Sequence, residues 1–250
     1  MPLKKQKLSL LLIFPFLSVI SLSIHSQPKN DETLLYNWFD TTAGKESSEI
    51  NNGTLYNNIY KPTNKNHNFY VSNQYTKGAV TYNGQKIYSV DLKYDIVNDE
   101  LILKREGDYN FRDINLIKDK IESFTINNNF FVHLKYKLEI TKGRLEGFYE
   151  QNYSCNSFTF YIKHHKKNLK NLNTGSIIYE FYEDNSFYIE QKNSVYPINS
   201  KKDLISIFPK QKKQIDDYYN ENNNLKNDNL NLFYENLIPK LNNTQTIEVK

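Results

Sequence analysis

Residues 82–105 read YNGQKIYSVDLKYDIVNDELILKR. Asn83-Gly84 is a hairpin turn signal, because both residue types tolerate the positive φ of a two-residue type I′ turn. From Ile87 to Ile96 the chain alternates: Tyr88, Val90, Leu92, Tyr94 and Ile96 share one face, and Ser89, Asp91, Lys93 and Asp95 share the other. That period of two predicts a strand with one buried and one wet face. Val97-Asn98-Asp99 then turns the chain into a short strand from Glu100 to Arg105.

The same grammar of strand, Asn/Asp/Gly turn and strand recurs outward from this stretch. Phe69–Val71 and Ala79–Tyr82 precede it; Ile114–Ile117, Ile121–Ile126 and Phe130–Ile140 follow, the last two joined by a turn at Asn127-Asn128-Asn129. In the last of these Phe130, Val132, Leu134, Tyr136, Leu138 and Ile140 are expected inside. Phe131, His133, Lys135, Lys137 and Glu139 are expected outside. Lys142-Gly143 breaks that strand. Leu145–Tyr153 and Ser157–His165 come next, and Lys166–Gly175 reads as a polar loop. Ile177–Glu183 and Phe187–Lys192 are expected to pair around Asp184-Asn185-Ser186. Val195–Ile198 adds a last strand, with Pro197 favouring an edge. The fold class expected is mainly β (α+β). It consists of a large antiparallel meander, curled into a barrel or a sandwich, over residues 69–199.

The pattern changes at Ser200, which forms a capping-box variant with Asp203. Leu204, Ile205, Ile207 and Phe208 follow at helical spacing, Pro209 restarts a second helix, Asn220–Asn224 reads as a linker, and a third helix spans Asp228–Leu237 with Leu230, Phe233, Tyr234 and Leu237 as its apolar stripe. Residues 200–250 are expected to pack on the sheet. Core material is aromatic: 20 Tyr and 15 Phe offset a hydrophobic fraction of only 38%, because each buried ring removes 150–250 Å² from water.

The N-terminus carries the most specific functional signal. Lys4, Lys5 and Lys7 precede an apolar run from Leu8 to Leu22, and small residues lead to Ser26. This is the layout of a secretory signal peptide over residues 1–26, shorter than a membrane span requires. Without a Cys after the run, no lipid anchor is expected, nor any transmembrane segment after cleavage. Residues 27–68 read as an arm with a short helix that uses Leu34, Leu35, Trp38 and Phe39, and a short strand within Thr54–Tyr60. Residues 1–26 hold three of the 32 Lys and Arg and none of the 28 Asp and Glu, so the remainder is nearly neutral. That gives no electrostatic case for nucleic acid. Cys155 is the only cysteine, so an intramolecular disulfide is ruled out and the thiol is expected to be buried and inert.

Candidate chemistry is sparse. Asp91 and Asp95 lie about 13 Å apart along one strand face, too far for one metal or one carboxylate pair. His164 and His165 fall on opposite faces, His133 on the polar side of its strand and His67 in an Asn-rich loop. No phosphate loop, nucleophile elbow or zinc-protease motif is present. Catalytic, cofactor and metal residues are therefore expected to be none. Tyr161, Tyr182 and Tyr188 remain as a candidate binding surface, because exposed aromatic rows stack on sugars or anchor proteins; the alternative is that both sheet faces are covered, one by the C-terminal helices, and that these tyrosines are core.

The runs YNGQKIYSVDLKYDIVNDELIL, INLIKDKIESFTI, GFYE and KKDLISIFPKQKKQI resemble a family of small exported bacterial β-rich proteins of unassigned function. The resemblance covers most of residues 77–222 and implies a shared fold but no functional residue. It departs at Tyr153-Ser154-Cys155-Asn156, where a Gly-containing turn would be expected. The expected function is an exported envelope binding protein with a protein partner and no catalytic activity. A hydrophobic-ligand or lipid carrier with a cavity in the curled sheet comes next, a carbohydrate-binding module third and a hydrolase last.

Overall fold

The computed structural model describes residues 49–63, 65–105, 112–137, 144–173 and 176–242. The signal segment, the short helix with Trp38, the strand end Leu138–Ile140 and the Lys142-Gly143 break lie outside them. The protein is mainly β, with helices at the C-terminal end. Its strands are β1 Thr54–Leu55, β2 Thr76–Tyr82, β3 Gln85–Asp95, β4 Glu100–Leu103, β5 Ile114–Asn115, β6 Ile121–Ile126 and β7 Asn129–Lys137. They continue with β8 Arg144–Ser154, β9 Thr159–Lys163, β10 Lys166–Asn173, β11 Ser176–Glu183, β12 Ser186–Gln191 and β13 Ser194–Pro197.

Among the described residues eleven strands form one sheet in the order β1-β5-β4-β3-β2-β6-β7-β8-β9-β12-β13, and β10 with β11 forms a separate ribbon. All described pairings are antiparallel. The sheet is open: β1 and β13 are its edges, and Pro197 lies on the edge expected of it. A single next-neighbour meander is corrected to two, β5-β4-β3-β2 and β6-β7-β8-β9, joined where β2 meets β6. The expected pairing of β11 with β12 also fails, because β12 lies between β9 and β13.

The turns behave as their residues predict. Asn83 and Gly84 take φ of 52° and 80°, and Asn127 and Asn128 take 50° and 65°, the positive values of type I′ turns. Ser89 departs from the simple alternation, with φ 56°. Tyr88 faces Ala79 and Val90 faces Gly78, so Ser89 is the extra residue of a β-bulge. The bulge shifts the inner face by one, which buries Ile87 and leaves Tyr88 only half-buried. Strand β7 also differs. Phe131 is fully buried and Phe130 is 42% exposed, the reverse of expectation. Both faces of β7 carry apolar residues, and the larger core takes the Phe131 side. Leu134 is buried in a smaller cluster with Leu145, Tyr149, Tyr161 and Val195.

The larger core is an aromatic packing of Tyr94, Phe124, Phe131 and Phe148. Phe124 and Phe131 stack at 4.7 Å, while Phe148 meets Phe124 edge-on at 5.1 Å. These are the favoured offset and T-shaped arrangements. A second core lies under the helices. Phe160 and Ile162 of β9 and Phe187 and Ile189 of β12 present one face to α1 Lys201–Ile207, α2 Lys212–Glu221 and α4 Leu230–Leu237. α3, Asn223–Asp228, begins within the expected linker Asn220–Asn224, whose first two residues end α2. Ser200 caps α1 through the Asp203 amide, and Asp203 returns a bond from the Asn199 amide. Leu204, Ile215, Phe233, Tyr234 and Leu237 form the buried stripes; Leu230, expected among them, is 41% exposed.

Val71 is a strained point. Its φ is 53°, and Ser72 N donates to Tyr70 O at 2.5 Å across it, closing a γ-turn. A β-branched residue there is an outlier, and such strain costs roughly 1–3 kcal/mol. Val71 is 65% exposed, so little packing is lost with its side chain. Val71→Gly is expected to raise stability by about 1 kcal/mol after glycine's own entropy cost of ~0.5–1 kcal/mol. Urea midpoints measure this; a lower midpoint for the variant would mean the turn is not strained.

Candidate functional site

Residues 166–173, KKNLKNLN, carry no period-two pattern, and they read as a loop for that reason. They form strand β10 because β11, SIIYEFYE, is rich in β-branched and aromatic residues and supplies a partner. The register runs from Lys166 opposite Glu183 to Asn173 opposite Ser176. Opposed residues share a face, so the ribbon has two. On one face, Tyr179 and Phe181 meet the Tyr60 ring edge-on at 5.0 and 5.3 Å. On the other face, Leu169, Ile178 and Tyr182 are 56%, 46% and 50% exposed. Glu180 and Lys167 flank them; Tyr182 donates to Glu180 at 2.6 Å, and Lys167 pairs with Asp184 at 2.8 Å.

The ribbon is tied to the arm at two points. The Lys166 ammonium donates to the carbonyls of His67 and Phe69 at 3.0 and 2.9 Å. Burial pushes that ammonium below its ordinary value. Further out, the Asn66 amide bonds the edge of β11: its Nδ2 donates to Tyr179 O at 2.5 Å, and its Oδ1 accepts from Phe181 N at 3.1 Å.

The three tyrosines singled out in the sequence do not share a surface. Tyr161 and Tyr188 are opposed on β9 and β12. Tyr161 is only 6% exposed and donates to Glu190 at 2.9 Å. Tyr188 is half-buried and packs edge-on against Tyr149 at 5.6 Å. Tyr182 alone is exposed, on the ribbon. The expected exposed row fails because one face of β9 and β12 is covered by the helices, and on the other Tyr161 and Tyr188 pack with Leu134, Leu145, Tyr149 and Val195 of the neighbouring strands. Leu169 and Ile178, which sequence reading passed over, accompany Tyr182 instead.

Titratable groups gather at three places. Asp95, expected on a wet face, is fully buried because residues 68–70 cross the end of β3. It accepts from the side chains of Asn68 and Asn98 at 2.5 and 2.9 Å, and from the Val97 and Asn98 amides. Asp99 lies over Gly147, where a Cβ would collide with its carboxylate. It pairs with Lys118 at 2.6 Å and Lys163 at 2.7 Å and accepts from Tyr94 OH at 2.6 Å.

The third cluster places His164 Nε2 2.5 Å from Glu150 Oε2, with Tyr70 OH donating to the same oxygen at 3.4 Å. Burial pushes Glu150 up, but the hydrogen bond and charge of His164, with Asn152 and Tyr70, outweigh it and leave the carboxyl below its ordinary value. Base, carboxylate and hydroxyl are the ingredients of a general-base site. However, Tyr70, Glu150 and His164 are 8%, 4% and 6% exposed, and the Tyr70 ring lies against the imidazole at 4.7 Å. The cluster reads as an internal polar joint. The other candidates stand apart from it: Cys155 Sγ donates to Phe158 O at 3.5 Å, His165 faces Asp184 at 3.5 Å, and His133 Nδ1 lies 3.0 Å from Ile121 O.

Among the described residues no group of three or more His, Cys, Asp or Glu side chains is placed to hold a metal, and no helix is long and apolar enough to cross a membrane. No protein-family model matches the chain, and no curated protein or solved structure matches it either.

Proposed function

We propose that the chain is an exported protein-binding module of the cell envelope that meets its partner through the β10–β11 ribbon. The observation that carries this reading is the open ribbon face of Leu169, Ile178 and Tyr182, set apart from the main sheet. Aromatic and aliphatic anchors on a projecting element are where interface energy concentrates. A carrier has less support, because Tyr94, Phe124, Phe131 and Phe148 pack ring against ring in the larger core. A carbohydrate module would need a row of exposed rings, and Tyr161 and Tyr188 do not supply one. The near-neutral chain after residue 26 gives no basis for nucleic-acid binding.

A photo-activatable residue in place of Ile178 or Tyr182, in the native host, is expected to give a discrete adduct with one envelope protein. The same residue in place of Glu122, on β6 of the main sheet, is expected to give none. Combining Leu169→Ser with Tyr182→Ser should weaken capture of that protein about 30-fold, the effect of losing ~2 kcal/mol at an interface hot spot. A chain that cross-links equally from both places, or from neither, is not a ribbon-based binding module.

A further inference from the structure

The ribbon has two edges, and the hydrogen bonds at its base and flank fix which main-chain groups face outward. Asp184 N donates to His165 O at 2.8 Å, so this pair belongs to the hydrogen-bonded set. Such pairs alternate with non-bonded ones in an antiparallel ladder. By the register, Lys167–Tyr182, Leu169–Glu180 and Asn171–Ile178 are bonded pairs, whereas Asn168–Phe181 and Lys170–Tyr179 are not. Asn66 confirms the phase, because it bonds Phe181 N and Tyr179 O from outside. On β10, Asn168 and Lys170 therefore turn their N–H and C=O groups away from β11. Among the described residues no strand pairs with that side.

We infer that the outer edge of β10 is a strand-addition site for an extended acidic segment of a partner protein. This rests on the binding-module reading above and specifies how the ribbon binds. Main-chain bonds to Asn168 and Lys170 would supply the affinity, and alternate side chains the selectivity. Charge selects the occupant. β10 carries Lys166, Lys167 and Lys170 and no acid. A second copy pairing through β10 would set lysines against lysines, which is unfavourable across a strand pair. A second copy pairing through β11 would meet an edge already bonded by Asn66. A segment of alternating acidic and apolar residues instead sets its carboxylates on the face of Lys170 and its apolar side chains on the face of Leu169, while Lys167 adds to the positive charge of the edge. Edge lysines that repel copies of the same chain thus also choose the partner.

The test uses the full chain and two labelled peptides as long as β10, one alternating Glu and Val, the other alternating Lys and Val. Fluorescence anisotropy should show the Glu/Val peptide binding at least ~10-fold more tightly than the Lys/Val peptide, a difference of about 1.4 kcal/mol. Hydrogen exchange should show it protecting the amides of Asn168 and Lys170. Asn168→Pro removes an outward donor, a position where an edge strand tolerates proline. It should weaken the Glu/Val peptide at least ~10-fold while the Lys167–Tyr182 cross-strand contact persists by NMR. Should that contact be lost, the double variant Lys167→Glu with Lys170→Glu decides the matter by reversing the peptide preference.

The inference is overturned if neither peptide binds, if both bind equally or if Asn168→Pro leaves binding unchanged in an intact ribbon. An unreversed preference in the double variant overturns it too. So does protection of the Asn168 and Lys170 amides in the free chain, which would mean that the chain's own residues occupy the edge. A dimer that Asn168→Pro dissociates would assign the edge to a second copy. Cross-links from Ile178 and Tyr182 that survive Asn168→Pro would keep the binding module while removing strand addition; their absence in the wild type would remove the module.

Discussion

Phe131→Ala is expected to cost about 3–5 kcal/mol, the range for emptying a fully buried aromatic site. Phe131 has no exposed surface. It stacks on Phe124 and meets Tyr70 and Tyr94 edge-on at 5.2 and 5.4 Å. The three rings around it, locked at such angles, cannot collapse into the vacated space without leaving preferred rotamers, so the cavity persists. Phe130→Ala, one residue away and 42% exposed, is expected to change stability by under ~0.5 kcal/mol. Paired urea melts give the comparison. A large loss at Phe130 with none at Phe131 would mean that β7 is slipped by one residue, since a single-residue slip exchanges the faces.

The second large effect belongs to Asp99. Asp99→Asn is expected to cost about 3 kcal/mol, because it leaves the ammonium of Lys163 in a largely dry site without its counter-charge. The side chains of Lys163 and Asp99 are only 16% and 17% exposed. Burial pushes the Asp99 carboxyl up, but the charges and hydrogen bonds of Lys163 and Lys118 outweigh this and hold it below its ordinary value. A carboxyl depressed in the folded state stabilises fully above its unfolded value of about 3.9. That stabilisation is lost as pH falls through the lower folded value. The wild type should therefore lose stability steeply below about pH 4, and Asp99→Asn should show a shallower loss there. Asp99→Asn combined with Lys163→Met should recover much of the deficit at pH 7, because removing both charges also removes their desolvation cost. If the double variant is no more stable than Asp99→Asn alone, the pair is not the source of the effect.

How much was legible can be argued from these residues. Turn chemistry reads out locally, so Asn83-Gly84 and Asn127-Asn128 were predictable from residue type alone. The capping pair Ser200 and Asp203 was readable for the same reason. Tertiary packing was not. The periodicity of β7 satisfies either register, and only the larger aromatic core on one side chooses Phe131. The bulge at Ser89 leaves no trace in composition, yet it moves Ile87 inside. Asp95 looks solvated by alternation and is buried because a distant arm crosses it. The ribbon was hidden most completely, since the β10 sequence KKNLKNLN gains its strand from its neighbour. Of the three tyrosines singled out, only Tyr182 is exposed. Tyr161 and Tyr188 follow the core alternative instead, since alternation along a strand does not tell a covered face from an open one.

Asn66 has a consequence for polymerisation. A two-stranded ribbon with one basic and one acidic strand is charge-complementary head to tail, and such a contact does not close on itself. Stacking β10 of each chain on β11 of the next would generate an unending fibre, the cross-β arrangement of amyloid. One side-chain amide, bonded to Tyr179 O and Phe181 N, fills the place that the next copy would take. It leaves growth no second end from which to propagate.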